Sequence, residues 1–195
     1  KTSTQGGYSE EMKLETKAGQ LCRGLGYDEI ITYSFISPAA FDQIRLSADS
    51  PLRKTLRIQN PLGEDTSIMR TIALPSMLEI LGRNNAYHNR DVMLYELAKV
   101  YLPVEGQVLP EEPKMLMLGA YGDGMSFFHL KGQLEAIFAG LRLQKASYTA
   151  LKTNPSYHPG RCAAVSVGGV EVGVMGQVHP LVAKNYGIDA DVYCA

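Results

Sequence analysis

Apolar residues recur at helical spacing in three long stretches of the chain, and bunch or alternate in most of the others. Behind Ser9, the residues Leu14, Ala18, Leu21, Cys22 and Leu25 lie on one helix face. Glu10 and Glu11 stand where the helix dipole favours acid, and Gly24 and Gly26 supply the stop. Leu74, Met77, Leu78 and Leu81 repeat the spacing around Pro75, whose missing N–H costs nothing just inside a helix start; the end is expected near Asn84-Asn85. Leu130, Leu134, Ile137, Phe138 and Leu141 do so again across 126–141. Two short helices are expected, one running from Pro38 through Ile44 and one from Pro180 to the stop at Gly187.

Strands are expected at 30–35, 55–58, 91–102, 114–121, 146–151, 162–167 and 170–178, with another beginning at 191. In 91–102 the residues Val92, Leu94, Ala98 and Val100 share a face that Glu96 interrupts. Asn60-Pro61-Leu62-Gly63 and Asn154-Pro155 read as turns, and Gly168-Gly169 as a hairpin turn. Consecutive strands joined by tight turns, with few helices, give an α+β fold with a largely antiparallel sheet. The regular βαβ alternation of a doubly wound fold is missing.

At 195 residues, 45% of them hydrophobic, the chain is one domain with a full core. Residues 1–8 read as a polar flanking segment and 9–195 as the domain. Lys1 in place of an initiating Met, and a strand that stops at Ala195, are expected of a piece of a longer chain whose core is truncated at its C-terminal end. A net charge of −1 removes the basic excess of a typical duplex-binding module. Cys22, Cys162 and Cys194 are far apart, odd in number and without a CxxC pair. They argue against a disulfide framework and a zinc site, and for a cytoplasmic protein. Histidines 88, 129, 158 and 179 show no HxxxH spacing, so no metal is expected. No apolar run is long enough for a membrane span.

The motifs that carry chemistry elsewhere are faint here. Gly122-Asp123-Gly124 is a GxG without the rest of a phosphate loop, and no GxSxG nucleophile occurs. Asp28-Glu29 and Glu111-Glu112 are sequence neighbours, which a strand would point to opposite faces. His158-Pro159-Gly160-Arg161 is the most conspicuous polar cluster, read as a turn into a strand whose arginine could grip a phosphate or pair with a neighbour. Arg70, in Met69-Arg70-Thr71 ahead of a helix, poses the same choice.

The order of short motifs adds a resemblance. Gly26-Tyr27 through Phe35 resembles the helix-to-strand junction opening the synthetase-like core of bacterial phenylalanine–tRNA ligase beta subunits. Asn60-Pro61-Leu62, Met69-Arg70-Thr71 and Leu74-Pro75-Ser76-Met77-Leu78 look like that family's next block. Tyr95-Glu96 through Tyr101, Phe127-Phe128-His129-Leu130-Lys131-Gly132, His158-Pro159-Gly160-Arg161 and Gly176-Gln177-Val178-His179-Pro180 follow in the family's order, so the likeness spans 10–195. It implies a class II aminoacyl-tRNA synthetase-like antiparallel sheet flanked by helices.

In that family the alpha subunit carries the active site and the beta core is its degenerate relative. The resemblance therefore implies a non-catalytic domain whose partners are the alpha subunit and the other beta domains. It meets tRNA through the assembled complex, and the complex, not this domain, uses ATP and magnesium. The alpha-type strand reads roughly Gly-Arg-Val-Tyr-Arg where this chain has Ala98-Lys99-Val100-Tyr101-Leu102, so a leucine stands where an arginine would hold ATP. The resemblance implies no catalytic, cofactor-binding or metal residue here. It gives the motif positions Asn60, Pro61, Met69, Arg70, Pro75, His158, Pro159, Gly160, Arg161, His179 and Pro180 a structural or interface role. Two other readings are a free-standing class II-like ligase gripping phosphate through Arg70 or Arg161, and a regulatory paralogue that binds an amino acid without reacting it.

Overall fold

The computed structural model describes residues 6–195. Of the flanking segment expected over 1–8, residues 1–5 lie outside the described residues and 6–8 carry no regular structure. Helix α1 (Glu10–Gly24) starts at Ser9, whose Oγ accepts the Met12 N–H at 3.1 Å. Such a cap stabilises a helix by about 1 kcal/mol. Strands β1 (Asp28–Glu29) and β2 (Phe35–Ile36), helix α2 (Ala40–Gln43) and strand β3 (Ile68–Met69) are short. They lead into α3 (Leu74–Ala86), β4 (Val92–Lys99), β5 (Lys114–Tyr121) and α4 (Phe127–Gly140), the last capped by Ser126. Strands β6 (Ala146–Ala150), β7 (Tyr157–Val167) and β8 (Val170–Val178), helix α5 (Pro180–Asn185) and strand β9 (Tyr193–Cys194) complete the chain.

Seven strands form one sheet in the order β1-β4-β5-β9-β8-β7-β6, antiparallel except for β1 against β4; β2 and β3 pair separately. Helices cover both faces. On one, Leu74, Met77, Leu78 and Leu81 of α3 and Val182 of α5 pack on Leu94, Ala98, Met117 and Val178. On the other, Cys22 of α1 and Leu130, Leu134 and Ile137 of α4 pack on Tyr95, Leu118, Val165 and Met175. Alternation along β4 and β5 sends neighbouring residues to opposite cores. Gly119 lets α3 approach β5 closely: a β-carbon there would lie 2.6 Å from Met77 Cγ.

The three long helices fall where the spacing predicts them, and Gly168-Gly169, both with positive φ, turns β7 into β8. Three expectations need correction. Of residues 30–35 only Phe35 lies in a strand, at the start of β2: after β1 pairs with β4, the Ile30 N–H still donates to the Tyr95 carbonyl at 2.9 Å. The segment then leaves the sheet, extended, with Ile31 and Tyr33 outward and Thr32 inward. Residues 55–58 reach only an isolated bridge, Arg57 to Ile68. And 158–161, expected as a turn, lies within β7, where the register skips from Tyr157 to Cys162. Pro159 has no N–H for the ladder, so the strand bulges there rather than turning.

Candidate functional site

Between β4 and the start of α3 lies a buried ionic knot. Arg70 (2% exposed) reaches Glu96 (4%), which occupies the interruption in the apolar face of β4. Arg70 Nη2 donates to Glu96 Oε1 at 2.9 Å, Nη1 to Thr32 Oγ1 at 2.6 Å, and Nε to the Lys99 carbonyl at 2.9 Å. Thr32 in turn donates its hydroxyl to both Glu96 oxygens at 2.9 Å and its N–H to Oε1 at 3.2 Å. A buried pair is stable only when the remaining donors and acceptors are met, and here they are. The knot ties the outlying 30–35 segment to the sheet. It also takes Arg70 out of reach of any solvent anion.

Arg161 is held differently. It is exposed on β7 and gives Nη1 to Gln177 Oε1 at 2.5 Å, while Gln177 Nε2 donates to Asp191 Oδ1 at 2.8 Å. A surface arginine is thereby linked through a buried glutamine to Asp191, two residues ahead of β9. Nearby, His158 Nδ1 accepts the Gly160 N–H at 3.1 Å, and His179 Nδ1 caps α5 by accepting the Leu181 N–H at 3.1 Å. Pro180 opens α5, Pro75 is buried in the first turn of α3, and Met69 is half-buried on β3 beside Phe35. Asn60, Pro61, Pro159 and Gly160 are exposed. Met69, Arg70 and Pro75 thus lie where β3 leads into α3, and the residues from His158 onward lie at the β7–β8–α5 corner.

Leu102 bridges Glu111 through paired backbone hydrogen bonds of 2.8 and 2.9 Å. It closes the base of the 103–110 loop with an apolar side chain. Burial pushes the Cys22 and Cys162 thiols up to about 11, and raises Cys194 as well, so none is a thiolate at neutral pH. All three cysteines are free. No helix among the described residues is long and apolar enough to cross a membrane.

The knot also shapes a surface. With Thr32 turned in, Ile31 (92% exposed) and Tyr33 (81%) stand out, followed by Phe35. They border a groove of about 720 Å³ completed by Pro75, Ser76 and Glu79 of α3. Tyr186, which also lines the groove, has a buried hydroxyl with no partner among the described residues. Sequence reasoning missed Glu96, Thr32 and Gln177 as partners. The signal for Glu96 was present, a carboxylate on an otherwise apolar strand face.

Across 1–195 the chain matches the family described as Phenylalanyl tRNA synthetase beta chain CLM domain. The chain belongs to that family. The "Phenylalanine--tRNA ligase beta subunit" of Clostridium tetani is 41% identical over 194 residues, 99% of this chain and 24% of that protein. The protein of the same name from Moorella thermoacetica is 44% identical over 178 residues, covering 86% of this chain and 22% of its own length. The chain therefore spans about a quarter of the beta subunits it matches. A solved pyrrolysyl-tRNA synthetase from Desulfitobacterium hafniense superposes with a TM-score of 0.76 at 14% identity, over 95% of this chain and 65% of that one. The α+β sheet flanked by helices is thus the class II synthetase-like fold that the motif order of this beta-chain family implied.

Proposed function

We propose that residues 9–195 are the non-catalytic core domain of a phenylalanine–tRNA ligase beta subunit, packing against the catalytic alpha subunit in the ATP-dependent charging of tRNA with phenylalanine. The observation that carries this is the apolar strip at the groove. Ile31 and Tyr33 are almost fully in water, and burying such a side chain stabilises an interface by about 1.5–3 kcal/mol. The first two turns of α1 support it, because they are exposed apart from Glu15 and leave Met12 and Leu14 uncovered. A helix of that length has little stability by itself, so a packed neighbour suits it. On this reading the other beta domains are further partners, tRNA is met through the assembled complex, and the protein works in the cytoplasm.

What occupies the sheet supports the non-catalytic part of this reading. Both faces of its central strands are filled by packed side chains, Leu102 offers no charge, and Arg70 is already saturated by Glu96, Thr32 and Lys99. ATP and magnesium then belong to the parent complex, and the motif positions serve packing or an interface. The test is sedimentation of the full-length beta chain with its alpha subunit. A stoichiometric complex is expected, weakened at least tenfold by Ile31→Ser with Tyr33→Ser. An unweakened complex refutes the strip as the interface, and micromolar ATP binding by the beta chain alone refutes the non-catalytic reading.

A further inference from the structure

At the corner where β7, β8 and the end of α2 meet, three segments are pinned together by hydrogen bonds. Tyr157 pairs with Val178, the His179 N–H donates to the Ser156 carbonyl at 2.9 Å, and the Ser156 hydroxyl donates to the Ile44 carbonyl at 2.6 Å. Asn185 adds a fourth tie, Nδ2 to the Gln43 carbonyl at 2.7 Å. These contacts gather Arg45, His158 and His179. Arg45 is exposed, sits at φ 60°, and makes no salt bridge among the described residues. The neighbouring carboxylate, Asp42, is engaged by Arg53 at 2.6 Å.

The histidines are oriented as donors. Each uses Nδ1 to accept a backbone N–H, His158 from Gly160 and His179 from Leu181. That fixes the proton of the neutral ring on Nε2, which meets no protein acceptor among the described residues. Burial first, then Arg45 and His158, hold His179 below its ordinary value of 6.5. The corner therefore presents a guanidinium without a salt bridge and two imidazole N–H groups without an acceptor among the described residues.

We propose that Arg45, His158 and His179 form a receptor for a phosphodiester oxyanion of an RNA strand. The assignment to RNA, rather than to an acidic side chain, rests on the tRNA-ligase reading above. The rest of the chain offers RNA little, since its net charge is −1. The contact is local and positions one phosphate without reading sequence.

The variants can be chosen to spare the fold. Arg45→Asn suits a positive φ better than arginine does. His179→Asn keeps a helix-capping oxygen, and His158→Asn keeps an acceptor for the Gly160 N–H two residues on. In the assembled complex, binding of fluorescent tRNA is followed by anisotropy across a salt series. Arg45→Asn is expected to weaken binding severalfold and to reduce the slope of log K against log salt by about 0.7–0.9. Each His→Asn change is expected to weaken it two- to fivefold, and inorganic phosphate is expected to compete with the parent protein more than with Arg45→Asn. An unchanged affinity and slope for Arg45→Asn overturns the proposal. So does a loss confined to subunit assembly, which would assign the corner to an acidic protein surface. Charging of tRNA is scored separately: absent charging refutes the functional reading, while the salt slope still decides the corner.

Discussion

Arg70 and Arg161 begin alike, each an arginine within a short polar motif, and end in opposite environments. Arg70 is sealed between β4 and α3 with Glu96, Thr32 and the Lys99 carbonyl on its fork. Arg161 lies in water with a single side-chain acceptor, Gln177. The difference comes from what stands across from each. Arg70 faces a carboxylate that interrupts an apolar strand face, and each charge makes the other's burial tolerable. Arg161 faces a neutral amide, which leaves most of its guanidinium to solvent. A buried, saturated arginine is part of the frame. An exposed one contributes little to the fold.

The largest effect is expected from breaking the buried partner. Glu96→Ala leaves the Arg70 charge unpaired and should cost about 3–5 kcal/mol in urea unfolding of the domain. Arg70→Met with Glu96→Leu should recover most of that; a single-variant loss below about 1 kcal/mol would make the knot ornamental. Next comes Thr32→Val, which removes the hydroxyl bridging both ions and should cost about 1–3 kcal/mol, with faster proteolysis within 30–35. Arg161→Ala should change stability by less than about 1 kcal/mol, and a larger loss would erase the contrast between the two arginines.

The smallest effect concerns His179 and is read by histidine NMR titration. Its value in the folded protein lies below 6.5, so the unfolded chain takes up the proton first as pH falls. The associated stability is present in full above pH 6.5 and is lost as pH drops from there toward the folded value. Arg45→Asn should move the His179 titration upward; no movement would mean that Arg45 does not face the ring.

The long helices and the β7–β8 hairpin were legible because their signals are local: an i, i+4 stripe, an N-terminal serine, a Gly-Gly pair. What escaped depends on distant partners. Residues 30–35 have the composition of a strand but lose their ladder to β4 after Glu29, which no local pattern announces. His158-Pro159-Gly160-Arg161 looks like a turn, yet its neighbours on β8 make it a bulge. For the site, a lone arginine before a helix and a misplaced glutamate in a strand were each visible. Only the fold makes them one pair, across 26 positions of sequence.

The place of β9 has a consequence for how the chain is made. Two residues, Tyr193 and Cys194, join β5 on one side to β8 on the other in the middle of the sheet. During synthesis, β4–β5 and β6–β7–β8 therefore emerge as separate half-sheets, each with a raw edge. They cannot be zipped until the ribosome has released everything through Cys194. Until then those edges are open to pairing with other chains. A chaperone that shields nascent strands would have the most to do in the interval between the exit of β5 and the exit of β9.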